Sequence, residues 1–283
     1  MALEAVSLDH DALLEKATRV RELIIKMTTE AGSGHPSSSL SATEVVTALH
    51  FGGFLKLDPD APQDPHRDRF ILSKGHAAPV LYAALAERGY FTEEQVMTLR
   101  KLGSKFEGHP NAAKLPGIEA STGSLGQGLS IGLGMALGLK ADDIDAHVYV
   151  VMGDGEIDQG QVWEAMAAAD KYNCGNLVGI IDVNGYQQTG STEEVLDMSS
   201  LKAKCESFGW HTLEIQGNDM GEVMDALKAA KAEAGRPTCI VSHTKKGAGI
   251  LPLMEKWGDT NMHGKPLSED QAKQALDHLA SKV

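Results

Sequence analysis

Cysteine is scarce: the 283-residue chain holds three, Cys174, Cys205 and Cys239, an odd number at wide spacings with no Cys-x-x-Cys pair. That argues against a disulfide framework and fits a reducing, intracellular setting. Basic charge is also in short supply. Lys and Arg number 26 against 39 Asp and Glu, a formal net charge of −13. No Lys/Arg run offsets this locally, so neither nucleic acid nor an anionic lipid surface is an expected partner. A phosphorylated ligand must then be held by backbone amides, a metal or a few placed cations. No apolar run approaches the length needed to cross a bilayer, and the first dozen residues carry charge in place of an apolar signal-peptide core. These absences predict a cytosolic protein with no membrane partner. Repeats, low-complexity tracts and a convincing linker are missing too, so residues 1–283 are expected to form one domain. With 42% hydrophobic and 23% charged residues, the chain can bury a sizeable core.

Apolar residues Leu13, Leu14, Ala17, Val20, Ile24 and Met27 fall at helical spacing, predicting an amphipathic helix from Asp9 to Ala31 that ends at Gly32. A polar loop is expected over Ser33 to Ser39, a second helix from about Ala42 to Leu49, and a Pro/Asp-rich connection from Asp58 to Asp68. Arg69 to Leu72 reads as a short strand, and Ala77 to Ala86 and Thr92 to Leu102 read as helices. Gly126, Gly128, Gly132, Gly134 and Gly138 fall in one helical stretch ending at Lys140. Glycine weakens a helix, so this run predicts close backbone contact, either within the chain or against a partner. Beyond it, short apolar strands at His147 to Met152, Leu177 to Val183, Thr212 to Ile215 and Thr238 to Ser242 alternate with helices at Gln159 to Tyr172, Asp197 to Phe208 and Met220 to Ala234. Such βα alternation implies an α/β fold: a mostly parallel central sheet with helices on both faces, and ligands at the carboxyl ends of the strands. A last helix is expected from Ser268 to Lys282, capped by Ser268.

The most informative segment is Val150-Val151-Met152-Gly153-Asp154-Gly155, an apolar strand running straight into Gly-Asp-Gly and a helix. Glycines permit a tight turn and close backbone approach, a helix N-terminus favours an anion, and Asp154 offers a hard oxygen for a divalent cation. Alone, the tripeptide reads as an ordinary strand-to-helix turn. Asn184, thirty residues on at the end of Ile181-Asp182-Val183-Asn184-Gly185-Tyr186, reverses that reading, because its amide oxygen could complete a metal site for a bridged diphosphate.

Gly-Asp-Gly followed by an Asn at this spacing resembles the signature of thiamine-diphosphate enzymes. Across nearly the whole chain the sequence is similar to the N-terminal half of transketolases. Ser33-Gly34-His35-Pro36, Arg67-Asp68-Arg69-Phe70 with Ser73-Lys74-Gly75-His76-Ala77, and Phe106-Glu107-Gly108-His109-Pro110 resemble three histidine-bearing loops of that family. Thr122-Gly123-Ser124-Leu125-Gly126-Gln127-Gly128 resembles its loop against the cofactor's aminopyrimidine, and His263-Gly264-Lys265-Pro266-Leu267 a segment near the diphosphate. The resemblance implies that Asp154 and the Asn184 side chain bind Mg²⁺ or Ca²⁺, with the Tyr186 carbonyl as a third ligand. Gly155, His76 and His263 would then meet the diphosphate of thiamine diphosphate, and Gly123 and Leu125 its ring. His35 and His109 would face the sugar, and they and His263 would assist turnover. The other histidines, His10, His50, His66, His147, His211, His243 and His278, are expected to be structural.

The activity implied is transfer of a two-carbon ketol unit between sugar phosphates. In transketolases the cofactor lies between this domain and a pyrimidine-binding domain of the opposing subunit, whose glutamate activates the ring. The resemblance therefore implies a split enzyme, active only as an α₂β₂-type assembly with a C-terminal, pyrimidine-domain subunit. There are departures from the family pattern. Ser124 replaces a common proline and Ser37 a common glycine, while Gln159 stands where a glutamate commonly links the two active sites in a proton relay; Glu164 keeps its match. The other readings are a subunit of a related thiamine-diphosphate enzyme, such as 1-deoxyxylulose-5-phosphate synthase or a 2-oxo acid dehydrogenase α-subunit, and a non-catalytic nucleotide-binding module. Against the last, no Gly-x-Gly-x-x-Gly follows the first strand.

Overall fold

Side-chain alternation along the strands decides the architecture of this computed structural model, which describes residues 3–281. A small antiparallel ladder pairs β1 (Ala5–Ser7) with β2 (Gly52–Lys56). The main sheet contains β3 (Arg69–Leu72), β4 (Val148–Gly153), β5 (Leu177–Val183), β6 (His211–Gln216) and β7 (Thr238–His243). It is parallel throughout, in the order β3-β4-β5-β7-β6. The helices are α1 (His10–Ala31), α2 (Pro36–Ser41), α3 (Thr43–Phe51), α4 (Ala78–Glu87), α5 (Glu93–Val96), α6 (Gln127–Ala141), α7 (Gly160–Lys171), α8 (Thr192–Val195), α9 (Leu201–Ser207), α10 (Met220–Ala232), α11 (Leu251–Trp257) and α12 (Glu269–Ala280).

Successive strand residues point to opposite faces. Tyr149 and Val151 of β4, Val178 and Ile180 of β5 and Ile240 of β7 join one core with Ile24, Leu49, Leu81 and Leu227 of α1, α3, α4 and α10. Their neighbours Val150, Met152, Leu177, Ile181, Cys239 and Val241 join a second core with Leu129, Met166 and Cys205 of α6, α7 and α9. The sheet is thus buried on both sides, as its near-continuous apolar strands require. All three cysteines are buried and unpaired by disulfides. Among the described residues, no helix is long and apolar enough to cross a membrane.

The long helix α1 begins and ends where its punctuation predicts. Asp9 accepts from the Ala12 N–H at 2.9 Å, and Gly32 closes the C-terminus in the left-handed region at φ 57°. Ser268 caps α12 with a capping box completed by Gln271. The expected end at Lys282 lies outside the described residues.

Several expectations need correction. The Ser33 to Ser39 loop becomes helix from Pro36, which occupies the first helical turn without needing a donor. Ser39 and Ser41 turn their hydroxyls back onto the carbonyls of His35 and Ser38, so these polar residues can be buried. The Thr92 to Leu102 helix stops at Val96. Thr98 bonds back to the Gln95 carbonyl and to Ser104, and Arg100 adopts φ 57°, which ends any helix. Asp197 to Phe208 is helical only from Leu201, because Asp197 takes the Ser199 N–H in a turn and Ser200 sits at φ 62°. The glycines of α6 divide. Those at 128 and 132 pack tightly inside the chain, Gly128 on Ser73 and Gly132 with its missing Cβ 2.6 Å from Val150 Cγ2. Those at 134 and 138 face open space.

His50 is structural, as expected, and costly. It is 1% exposed, stacks edge-on to Phe70, and finds no hydrogen-bond partner for either ring nitrogen. Burial, reinforced by Arg88, pushes its pKa down to about 3. The folded chain therefore binds fewer protons than the unfolded chain between that value and 6.5, and stability is lost as pH falls through this window. Replacing His50 by Leu is predicted to stabilise the chain, and its advantage should grow by about 2 kcal/mol between pH 7 and pH 5. Denaturant titrations at the two pH values would show it; an advantage that shrinks on acidification would mean that the ring is not held neutral in the folded chain.

Candidate active site

The carboxyl ends of β3, β4 and β5 open into a cavity of about 500 Å³. All ten residues singled out in the sequence line it: His35, His76, His109, Gly123, Leu125, Asp154, Gly155, Asn184, Tyr186 and His263. Strand register does the first part of this work. Gly153 pairs with Asp182 across β4 and β5, which sets Asp154 beside the turn that carries Asn184. Asp154 Oδ1 accepts from the Gly155 N–H at 2.9 Å and Oδ2 from the Gly185 N–H at 2.7 Å. Asn184 donates its amide N–H to Asp182 Oδ2 at 3.1 Å, while its Oδ1 accepts from the Tyr186 N–H at 3.2 Å.

Burial first, and then the nearby Asp182 charge, push the Asp154 carboxyl up to about 6. A carboxylate so disfavoured by its surroundings is one that a bound cation would relieve. Among the described residues no group of three or more His, Cys, Asp or Glu side chains could hold a metal ion. Asp154, Asn184 and Tyr186 instead bring a carboxylate, an amide oxygen and a backbone carbonyl to the lining of one cavity, oxygen groups of the kind that hard divalent cations take.

Three histidines cluster in the lining of the same cavity. The His35 ring lies 5.1 Å from His76 and 5.0 Å from His263, and His76 lies 5.5 Å from His263. Burial depresses all three pKa values, His35 and His263 to about 4 and His76 well below its usual range. His109 is lowered too, by burial and Arg100. Neutral imidazoles each keep one donor and one acceptor, which suits them to hydrogen-bond an anion or a sugar without repelling one another. The Nδ1 of His35 is buried with no partner within the protein. Gly123 makes room for His109: it adopts φ 145°, and an added Cβ would stand 2.9 Å from the His109 ring.

Sequence reasoning assigned no role to Lys246, Lys74 or Asp182. Lys246 is 2% exposed, donates to His263 Nδ1 at 3.1 Å and to Asn261 Oδ1, and lies 5.6 Å from the Tyr186 ring centre. Accepting at Nδ1 leaves the His263 Nε2–H as the ring's donor. Burial and Lys74 lower the Lys246 pKa to about 8. Its position just past the carboxyl end of β7 was the one signal that could have flagged it. Lys74, in the loop that carries His76, forms a buried ion pair with Asp182. Burial alone would push the Asp182 carboxyl up, but Lys74 and the hydroxyls of Thr244 and Ser41 outweigh it and hold it low. Gln159 lies exposed at the cavity rim against Gly126, and Glu164 is exposed on α7.

The geometry agrees with what the chain resembles. A family model described as the transketolase thiamine diphosphate-binding domain matches residues 14–282, and the chain belongs to this family. Human transketolase is 42% identical over 273 residues, covering 96% of this chain and 42% of its own length, so the chain spans less than half of such relatives. Two relatives match over nearly their whole lengths. One subunit of the apulose-4-phosphate transketolase of Phocaeicola vulgatus is 38% identical, with 93% of this chain and 92% of its own covered. For the 6-deoxy-6-sulfo-D-fructose transketolase subunit SqwG of a Clostridium species the values are 38%, 99% and 98%. Among solved structures, the transketolase of Campylobacter jejuni superposes with a TM-score of 0.89 at 32% identity, covering 96% of this chain and 43% of that one. A Pichia stipitis transketolase in complex with sedoheptulose 7-phosphate gives 0.79 at 30%, covering 95% and 44%.

Because the Lys246 charge helps hold His263 neutral, Lys246→Met is predicted to raise the His263 pKa by about one pH unit while leaving it below 6.5, burial being the larger cause. An NMR titration of the His263 ring protons measures this. An unmoved midpoint would show that the two groups do not sense one another.

Proposed function

We propose that this member of the transketolase family is the diphosphate-binding subunit of a two-chain transketolase, with residues 1–283 forming one domain. The observation that carries the cofactor reading is that Asp154, Asn184 and Tyr186 line the same cavity as a cluster of three neutral histidines. The two-chain arrangement draws support from the two relatives covered almost end to end, both of which are named as transketolase subunits. Family membership favours ketol transfer over pyruvate decarboxylation or nucleotide binding. The three buried, unpaired cysteines support a reducing, cytosolic setting.

Thiamine diphosphate, when bound, supplies the electron sink that a two-carbon ketol transfer requires. The chain's own residues hold and orient. Asp154, the Asn184 Oδ1 and the Tyr186 carbonyl would hold a Mg²⁺ or Ca²⁺ ion, and the small Gly155 would let the backbone approach the diphosphate. His76 and His263 would donate to the phosphate oxygens, with Lys246 setting the His263 tautomer and adding a buried positive charge. Gly123 and Leu125 bound the ring. His35 and His109 face the sugar, where their low pKa values leave a free ring nitrogen to accept a hydroxyl proton near neutral pH and return it. Gln159 can hydrogen-bond at the rim but cannot carry a proton as glutamate does.

The substrates proposed are a ketose phosphate and an aldose phosphate, and the assembly an α₂β₂ heterotetramer with a pyrimidine-domain subunit. Purified alone and supplied with thiamine diphosphate and Mg²⁺, the chain is predicted to show no ketol transfer in a coupled sugar-phosphate assay. Activity should appear on adding the companion subunit. Full turnover by the isolated chain would refute the two-chain reading.

A further inference from the structure

A primary amide presents either an oxygen or an NH₂ group in nearly the same shape, so a metal site that uses Asn184 needs something to choose the oxygen. The candidate is Asp182, two residues earlier, whose side chain leaves β5 on the same side. It is 2% exposed, and its carboxylate accepts from four groups: Lys74 Nζ, Ser41 Oγ at 2.7 Å, Thr244 Oγ1 at 2.6 Å and Asn184 Nδ2 at 3.1 Å. The first three come from separate segments, which fixes the plane of the carboxylate.

We propose that Asp182 is the positioning residue of the cation site, holding the NH₂ of Asn184 so that Oδ1 faces the ion. The inference rests on the reading that Asp154, Asn184 and Tyr186 bind a divalent cation with thiamine diphosphate. An ionised carboxylate only accepts, so it can meet Asn184 only through the NH₂ group. Lys74 pairs with that carboxylate and the Asn184 NH₂ donates to it, so Asn184 Oδ1 is left on the far side, where it takes the Tyr186 N–H. The Tyr186 carbonyl and Asn184 oxygen are thereby held in one short turn, itself tied to Asp154 through the Gly185 N–H. Outer groups that orient a ligand in this way commonly govern metal affinity.

A purely structural role for Asp182 makes a different forecast at the neighbouring position. Were Asn184 free of Asp182, Asn184→Asp would hold a hard cation at least as well, since it adds a negative oxygen ligand. Under the proposal the new carboxylate faces that of Asp182, and affinity falls about tenfold. Asp182→Asn should fall likewise, because either end of the new amide can face Asn184. The reciprocal double variant, Asp182→Asn with Asn184→Asp, restores a donor behind an oxygen ligand at unchanged total charge, and should recover most of the loss.

The experiment measures Mn²⁺ affinity of the full chain by electron paramagnetic resonance at saturating thiamine diphosphate, with melting curves to confirm folding. Should Asp182→Asn fail to fold, Asn184→Asp and the double variant still decide, since the first keeps the Asp182 clamp and the second keeps the charge count. Weakening by Asn184→Asp, reversed in the double variant, is the expected result. Equal or tighter binding by Asn184→Asp, or a double variant no better than Asn184→Asp, would overturn the proposal. An unmodified chain that binds no Mn²⁺ with thiamine diphosphate, either alone or with its companion subunit added, would overturn the cofactor reading, and this inference with it.

Discussion

The buried ion pair between Lys74 and Asp182 is the constraint on which the site depends. Taking two charges out of water costs several kcal/mol each, and such a pair is rarely a net source of stability. Here it does something a hydrophobic pair could not. The Asp182 carboxylate gathers Ser41 from the helix that follows His35, Lys74 from the loop that carries His76, Thr244 from the segment leading to Lys246, and Asn184 itself. Three stretches distant in sequence, together with the adjacent Asn184, are referred to one fixed point at the end of β5. Lys74 adds a further tie by donating to the Ser38 carbonyl at 3.0 Å.

From that point the electrostatics of the cavity follow. A chain with 13 excess negative charges must still accept a doubly charged diphosphate group. The groups suited to that task are local: the cavity is lined by His35, His76, His263, Asp154, Asn184 and Tyr186, with the buried Lys246 against His263. Removal from water is the largest influence throughout: it lowers the pKa values of His35, His76, His263 and Lys246 and raises that of Asp154. Asp154 on the one hand, and the histidines and Lys246 on the other, are therefore held away from their comfortable protonation states in the free chain. A bound cation and diphosphate would relieve both, which makes binding more favourable than the same contacts would be in water.

Much of this was legible in the sequence, and the parts that were not have physical reasons. The strand Leu177–Val183 was read to the residue because a short apolar run bounded by turn residues has few alternatives in an α/β pattern. The cavity-lining residues were found through loop motifs, whose glycines mark backbone that comes close to something. The pairing of β1 with β2 escaped notice, since Ala5–Ser7 is three residues long and largely exposed and so carries no burial pattern. Helix α2 was hidden because four serines read as loop until their hydroxyls are seen to bond within the chain. Lys246 and Asp182 were assigned no role, since no motif marks them; only the fold shows both to be buried and partnered.

The most direct test is crystallographic. Crystals of the chain grown with thiamine diphosphate and Mn²⁺ in place of Mg²⁺, measured at the manganese absorption edge, locate the ion without assumption. A single anomalous peak is expected within about 2.2 Å of an Asp154 carboxylate oxygen, Asn184 Oδ1 and the Tyr186 carbonyl, and in contact with the diphosphate. Thiamine diphosphate bound in this cavity with the ion elsewhere, or an ion ligated by the histidines instead, would contradict the assignment.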